Sequence, residues 1–280
     1  MRVHSDGAIH WTGRLPSGSA AAHVEWIWTA RGREGAVPEH RVLPDACADV
    51  IVGGDGDAFV VGPLRAARVV DLPADGAVTT GVRLRPGVAR AVLGVPVREL
   101  LDGRVPLADV TPALARRLDL ARERAACGSA QARGALPRPD DADASHATAR
   151  ALEEAIASHV RDSTPDPQIA GLVATLWREG GSRLPQLARS VGLSERQLRR
   201  RCLDACGHAP AELARVMRLR RLLRLAAGRP HDGLATLAAA AGWHDQQHMT
   251  RDVRRLTGLT PARLLRRDGR SVQDRRAAGA

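Results

Sequence analysis

Apolar residues between positions 184 and 265 repeat their spacing. Leu184, Leu187, Ala188, Gly192, Leu198, Gly207, Pro210 and Leu213 are matched by Leu234, Leu237, Ala238, Gly242, Met249, Gly258, Pro261 and Leu264. The offset is 50 residues up to the first glycine and 51 after it, so one residue is inserted in the second turn. A period of this length predicts one supersecondary unit used twice. In the first copy Leu184, Leu187, Ala188 and Val191 fall at three- and four-residue steps, which puts one apolar stripe on a short helix, and Gly192 supplies a turn. Ser194, Glu195, Arg196 and Gln197 then spell a capping box, so a second helix starts at about Glu195. Leu198 and Cys202 form its inward face; Arg196, Gln197, Arg199, Arg200 and Arg201 form its outward face. In the second copy Asp245 is the expected N-cap. There Met249, Val253 and Leu256 point inward, and Gln246, Gln247, Thr250, Arg251, Arg254 and Arg255 point mainly outward. Residues 211–227, leucine-rich and without internal Gly or Pro, predict one long joining helix stopped by Gly228.

The first 110 residues change period. Alternation at 23–28, 48–52, 59–61, 67–72 and 82–84 predicts short strands, separated by turn sequences such as Gly53-Gly54-Asp55-Gly56-Asp57 and Gly62-Pro63. Strands at this spacing predict a small β-barrel or curled sheet. Helical period returns at 111–126. Residues 128–144, with Gly134, Pro137, Pro139 and three aspartates, have the composition of a flexible linker. Helices are expected at 146–160, with Ser145 as N-cap, and at 167–179, opened by Asp166-Pro167 and closed by Gly180-Gly181. The expected class is α+β. A small β-barrel or curled-sheet domain over 1–110 is followed by a helical connector over 111–165 and an all-α domain over 166–268. That last domain is two helix-turn-helix units joined by a long helix, and a disordered tail over 269–280 follows it.

Charge locates a partner. The net charge of +11 falls entirely on residues 180–268, where 18 arginines face 7 acidic residues; elsewhere 24 arginines balance 24 acidic residues. Such asymmetry favours a polyanion, because each cation that neutralises a phosphate releases a counterion. Every basic residue is Arg and none is Lys, a bias that GC-rich coding would also produce, so a lone arginine is weak evidence of base recognition. A solvated helix face explains most lone arginine runs. Here the arginines alternate with cap and core residues on two equivalent helices. The chain has 280 residues, 44% apolar, which suffices for two cores. No apolar run approaches bilayer length and no secretory core follows Met1, so a cytoplasmic, soluble protein is expected. Cys47, Cys127, Cys202 and Cys206 are too scattered for a disulfide framework.

The run Gly242-Trp243-His244-Asp245-Gln246-Gln247-His248-Met249-Thr250-Arg251, with Leu256-Thr257-Gly258-Leu259-Thr260-Pro261, resembles the signature of AraC-type (AraC/XylS) transcriptional regulators. The likeness spans about residues 180–267. It departs from the family at Cys202, Met249 and Val253, core positions where the family usually carries aromatics. The runs 43–50 and 81–88, with Gly62-Pro63, resemble the β-domain found ahead of some members, a sensor or dimerisation module. The resemblance implies a DNA-binding transcription regulator rather than an enzyme, without cofactor, whose two recognition helices enter adjacent major-groove segments of promoter DNA. Its contact positions fall on Ser194, Arg196, Gln197, Arg199 and Arg200 in the first unit. In the second they fall on Asp245, Gln246, Gln247, Thr250, Arg251, Arg254 and Arg255. Arg can grip guanine O6 and N7, and Gln adenine N6 and N7. Double-stranded DNA is the implied partner, with RNA polymerase, a second copy of the chain and a small-molecule effector at the N-terminal domain as further candidates.

Other chemistry has less support. No nucleophile elbow, phosphate loop or zinc-protease motif occurs. Cys202, Cys206 and His208 could offer metal ligands, but no fourth is evident and Cys202 lies on the inward stripe, so packing is preferred and no metal is expected. Trp26 and Trp28 share a strand face; they either line an effector pocket or fill a core that has one Phe and no Tyr, and core is favoured. Two alternatives to a regulator are kept: a DNA-alkyl-damage methyltransferase, for which no cysteine has an activating context, and a helical protein- or RNA-interaction module, for which the basic face shows no exposed aromatics.

Overall fold

In the computed structural model, which describes residues 2–5, 9–32, 39–71, 77–132, 141–160, 163–180 and 184–268, the N-terminal region is one antiparallel sheet with a separate two-stranded ribbon. The strands are β1 (Arg2–Ser5), β2 (Ile9–Arg14), β3 (Val24–Gly32), β4 (Glu39–Val42), β5 (Asp49–Val52), β6 (Ala58–Val61), β7 (Arg68–Asp71), β8 (Val78–Leu84) and β9 (Arg104–Pro106). The sheet runs β1-β2-β3-β8-β5-β6-β9, and β4 pairs with β7. Among the described residues no pairing joins β1 to β9, so the sheet is open and the closed-barrel form of the expectation is set aside. The glycine-rich run 53–57 is the β5–β6 hairpin turn, held by Gly53 N–H donating to the Asp57 carbonyl at 2.9 Å.

The helices are α1 (Ala89–Leu93), α2 (Leu107–Val110), α3 (Pro112–Ala132), α4 (Asp141–His159), α5 (Pro167–Glu179), α6 (Leu184–Ser190), α7 (Glu195–Cys206), α8 (Pro210–Gly228), α9 (Leu234–Ala241), α10 (Gln246–Thr257) and α11 (Pro261–Asp268). Two differ from the sequence reading. α3 continues to Ala132 and α4 begins at Asp141, so Ser145 is an interior helix residue rather than an N-cap, and only 133–140 of the expected linker lies outside the described residues. The expected tail over 269–280 also lies outside them.

Two cores form. Val24, Ile27, Val50, Val60, Val82 and Leu84 on one sheet face pack with Leu107, Leu114, Leu118, Leu152 and Ile156, so α3 and α4 cover the sheet. The second core gathers Leu172 and Leu176 of α5, Leu198 of α7, Leu213, Met217 and Leu222 of α8, and Met249 and Val253 of α10. Cys202, Met249 and Val253, where the resemblance leads one to expect aromatics, are fully buried. Each leucine buried this way contributes about 1.5–3 kcal/mol. Leu43 and Ala46, from the segment after β4, also belong to this second core, so the N-terminal region plugs into the helical one.

The second core is closed by a backbone contact. Gly180 ends α5 and Gly242 ends α9, both left-handed (φ 77° and 98°), and a Cβ on Gly242 would stand 2.7 Å from the Gly180 Cα. Gly192 is also left-handed (φ +67°), but a Cβ there would meet nothing within 4 Å. Gly192→Ala should therefore cost only the left-handed penalty of about 1–2 kcal/mol. Gly242→Ala should cost clearly more. Urea unfolding of the two variants checks this; equal losses would contradict the α5–α9 contact.

Candidate nucleic-acid interface

The start of α7 is fixed by its own sequence. Gln197 N–H donates to Ser194 Oγ at 3.3 Å, and Ser194 N–H donates to Gln197 Oε1 at 3.0 Å. With this cap closed and Leu198 and Cys202 turned into the core, the opposite face of α7 presents Arg196, Arg199 and Arg200, all exposed. Among the described residues no ion pair or hydrogen bond engages these three guanidinium groups. Arg201 does not join them. Expected outward, it turns back to the N-cap of α5, where it pairs with Asp166 at 3.2 Å and contacts the Gln168 side chain.

The second unit repeats the design with different groups. Asp245 caps α10 by accepting from His248 N–H at 2.6 Å, and its other oxygen lies 3.1 Å from His244 Nδ1. The hydrogen bond from His248, then that from His244, holds the Asp245 carboxyl below the usual carboxylate range. Gln246, Gln247, Arg251, Arg254 and Arg255 are exposed, and Thr250 is half-buried, its hydroxyl donating to the Gln246 carbonyl at 2.8 Å. Among the described residues no ion pair engages Arg251, Arg254 or Arg255. Asp252, one repeat on from Arg201, is the tether here. It is buried, accepts from Trp243 Nε1 at 2.9 Å and pairs with Arg218 of α8 at 3.1 Å. Each outward helix is thus anchored at the same repeat position by an ion pair of opposite polarity. The sequence pattern missed both tethers, and the only hint was a charge at the edge of each inward stripe.

The arginines of α8 are engaged within the fold. Arg220 pairs with Glu25 at 2.5 Å and lies 5.3 Å from the centre of the Trp177 ring. Arg221 donates to the carbonyls of Ala240 and Trp177, at 2.8 and 2.9 Å, and to that of Arg178, which caps the ends of α9 and α5. Arg224 stacks on Trp177 at 4.5 Å. The positive excess of this region therefore divides into structural cations on α8 and free ones on α7 and α10.

Trp26 and Trp28, expected to fill a core, are half-buried and belong to neither of the two cores. A Cβ on Gly13 would stand 2.3 Å from the Trp26 ring, and one on Gly81 would stand 2.3 Å from that of Trp28, so each tryptophan lies over a cross-strand glycine. Trp28 Nε1 donates to Asp49 at 3.0 Å, and its ring meets that of Trp11 with centroids 5.3 Å apart. Burial raises the Cys202 thiol to about 12 and the Cys206 thiol well above its usual range. No group of three metal-ligating side chains occurs among the described residues. Burial, with the carboxylates of Asp45 and Glu25 beside it, pushes the Cys47 thiol well up, the opposite of an activated nucleophile. Burial also works against an ionised Glu25, but Arg220 and Arg83 outweigh it and hold that carboxyl at about 2.

No helix among the described residues is long and apolar enough to cross a membrane. Residues 187–267 match the family described as a helix-turn-helix domain. Residues 13–106 match a domain of unknown function, DUF6597. No curated protein matches the chain. Solved structures of ToxT from Vibrio cholerae are similar in outline. One aligns over 93% of this chain and 98% of its own, at 7% identity and a TM-score of 0.42. ToxT from strain O395 covers 93% and 96% at 8% identity and 0.39. Unsaturated fatty acid bound ToxT from strain SCE256 covers 95% and 97% at 8% identity and 0.39. Likenesses that low carry no argument. The helix-turn-helix match is of another kind, since it falls on the repeat, the caps and the exposed arginines just described: residues 187–267 form a helix-turn-helix domain of AraC type, and residues 13–106, ahead of it, are the domain of unknown function.

Proposed function

We propose that the chain controls transcription by reading duplex DNA with α7 and α10 together, each laid into one of two adjacent major-groove segments. The observation that carries this is the sorting of the cations. Two equivalent helices begin at locked caps and present arginines free of ion pairs among the described residues, whereas the arginines of the helix between them are engaged. Successive groove segments on one face of B-DNA lie ~34 Å apart. α8, with 19 residues, spans ~28 Å at ~1.5 Å per residue, and the half-widths of the flanking helices supply the remainder. In this reading Arg196, Arg199 and Arg200, with Gln246, Gln247, Thr250 and Arg251, meet base edges and nearby phosphates, while Arg254 and Arg255 meet phosphates. Ser194, Gln197 and Asp245 hold the helix starts that enter the groove. Asp245, ionised, could accept from cytosine N4.

Arg200→Ala and Gln247→Ala should each weaken binding to the preferred duplex by about 1–3 kcal/mol while changing binding to random duplex much less. Competition titrations of the full chain on both duplexes measure this; equal loss on the two would remove the base-reading role. Log affinity should also fall linearly with log salt by about 0.9 per phosphate neutralised. A salt titration that stays flat would mean that the free arginines do not meet a phosphate backbone.

A further inference from the structure

The N-terminal domain touches both outward helices, and it touches each at the same end. At α10 the last turn has carbonyls with no partner inside the helix. Two of them are taken by the N-terminal domain: Ala67 N–H donates to the Leu256 carbonyl at 2.7 Å and Arg41 to the Thr257 carbonyl at 3.2 Å. A guanidinium at this position also faces the negative end of the helix dipole.

At α7 the group is Asp204, in the last turn. A carboxylate there is disfavoured by the same dipole, and two N-terminal cations compensate it: Arg90 at 2.9 Å, and Arg98, which contacts the other carboxylate oxygen. The glycine that ends α7 packs on the same patch, since a Cβ on Gly207 would meet Leu101 at 3.2 Å and Val97 at 3.4 Å. Between the two helices, Arg220 of α8 pairs with Glu25 of β3 and donates to the Asp45 carbonyl at 3.2 Å. None of these contacts covers the exposed faces of α7 or α10, which stay open to solvent.

We propose that the N-terminal domain is a splint for the two reading helices: by gripping α7 at Asp204 and α10 at Leu256 and Thr257, it fixes their separation and tilt, and so sets which half-site spacing the chain accepts. This rests on the two-helix reading of DNA. Arg41, Arg90 and Arg98 are then positioning residues that act on spacing selectivity without touching DNA. The two units already share a core with α5 and α8, and contacts at both far ends restrict the bending that this core leaves.

The test uses the full chain and the duplex enriched from a random pool, rebuilt with one base pair removed from or added to the spacer between half-sites. Wild type should prefer its own spacing by about tenfold or more, within the usual range of intersite coupling. The double variant Arg41→Gln, Asp204→Asn should lose at least threefold of that preference, with off-spacing duplexes bound nearly as well as the original. If circular dichroism shows the double variant incompletely folded, each single variant, which weakens the grip on one helix, is read the same way. An unchanged preference accompanied by uniformly weaker binding would overturn the splint and leave two-helix reading intact, because loss of stability lowers affinity without broadening spacing. Tighter binding at unchanged preference would also overturn it, by making the contacts a restraint on binding. Failure of wild type to enrich any sequence would remove the two-helix reading, and the splint with it.

Discussion

A guanidinium drawn out of water must meet a carboxylate, a carbonyl or an aromatic face, and α8 is built around that requirement. Arg218, Arg220, Arg221 and Arg224 each find such a partner. Removing one member of a buried pair typically costs about 3–5 kcal/mol, because the other charge is left with less compensation than its burial demands. The helix is thereby fixed to α5, α9, α10 and the N-terminal sheet at once. The exposed arginine faces depend on this, since α7 and α10 are oriented in part through what α8 holds in place.

The two units solve one problem with opposite charges. Arg201 reaches back to the cap of α5, and Asp252 reaches across to α8 and to the indole of Trp243. Both tethers sit where a helix turns from its buried to its exposed face, so each fixes the rotation of its helix about its own axis. A rotation error there would swing the neighbouring Arg200 or Arg251 out of the exposed face. The caps at Ser194 and Asp245 fix the other coordinate, where each helix begins. Cys202, Met249 and Val253, none of them aromatic, are the buried residues that seat these helices on the core.

Much of this was legible in the sequence because it is local. Capping boxes, three- and four-residue apolar steps and turn glycines act within one or two turns, and the repeat doubled every signal. What was not legible depends on distant residues. Arg200 and Arg201 are adjacent and alike, yet among the described residues one has no ion pair and the other has, and the difference is Asp166, 35 residues earlier. β2 was missed because Gly13 interrupts its alternation, and that glycine is required by the Trp26 ring of the neighbouring strand. The three-residue β9 takes its register from β6 and has no pattern of its own. The composition of 128–144 suggested a linker, but helix continues into both of its ends.

The most direct test of two helices reading one duplex is selection of bound sequences from a random pool by the purified full chain. The account predicts two conserved blocks whose centres lie about 10–10.5 base pairs apart, one turn of the duplex. A single conserved block, or two blocks at no fixed separation, would contradict it.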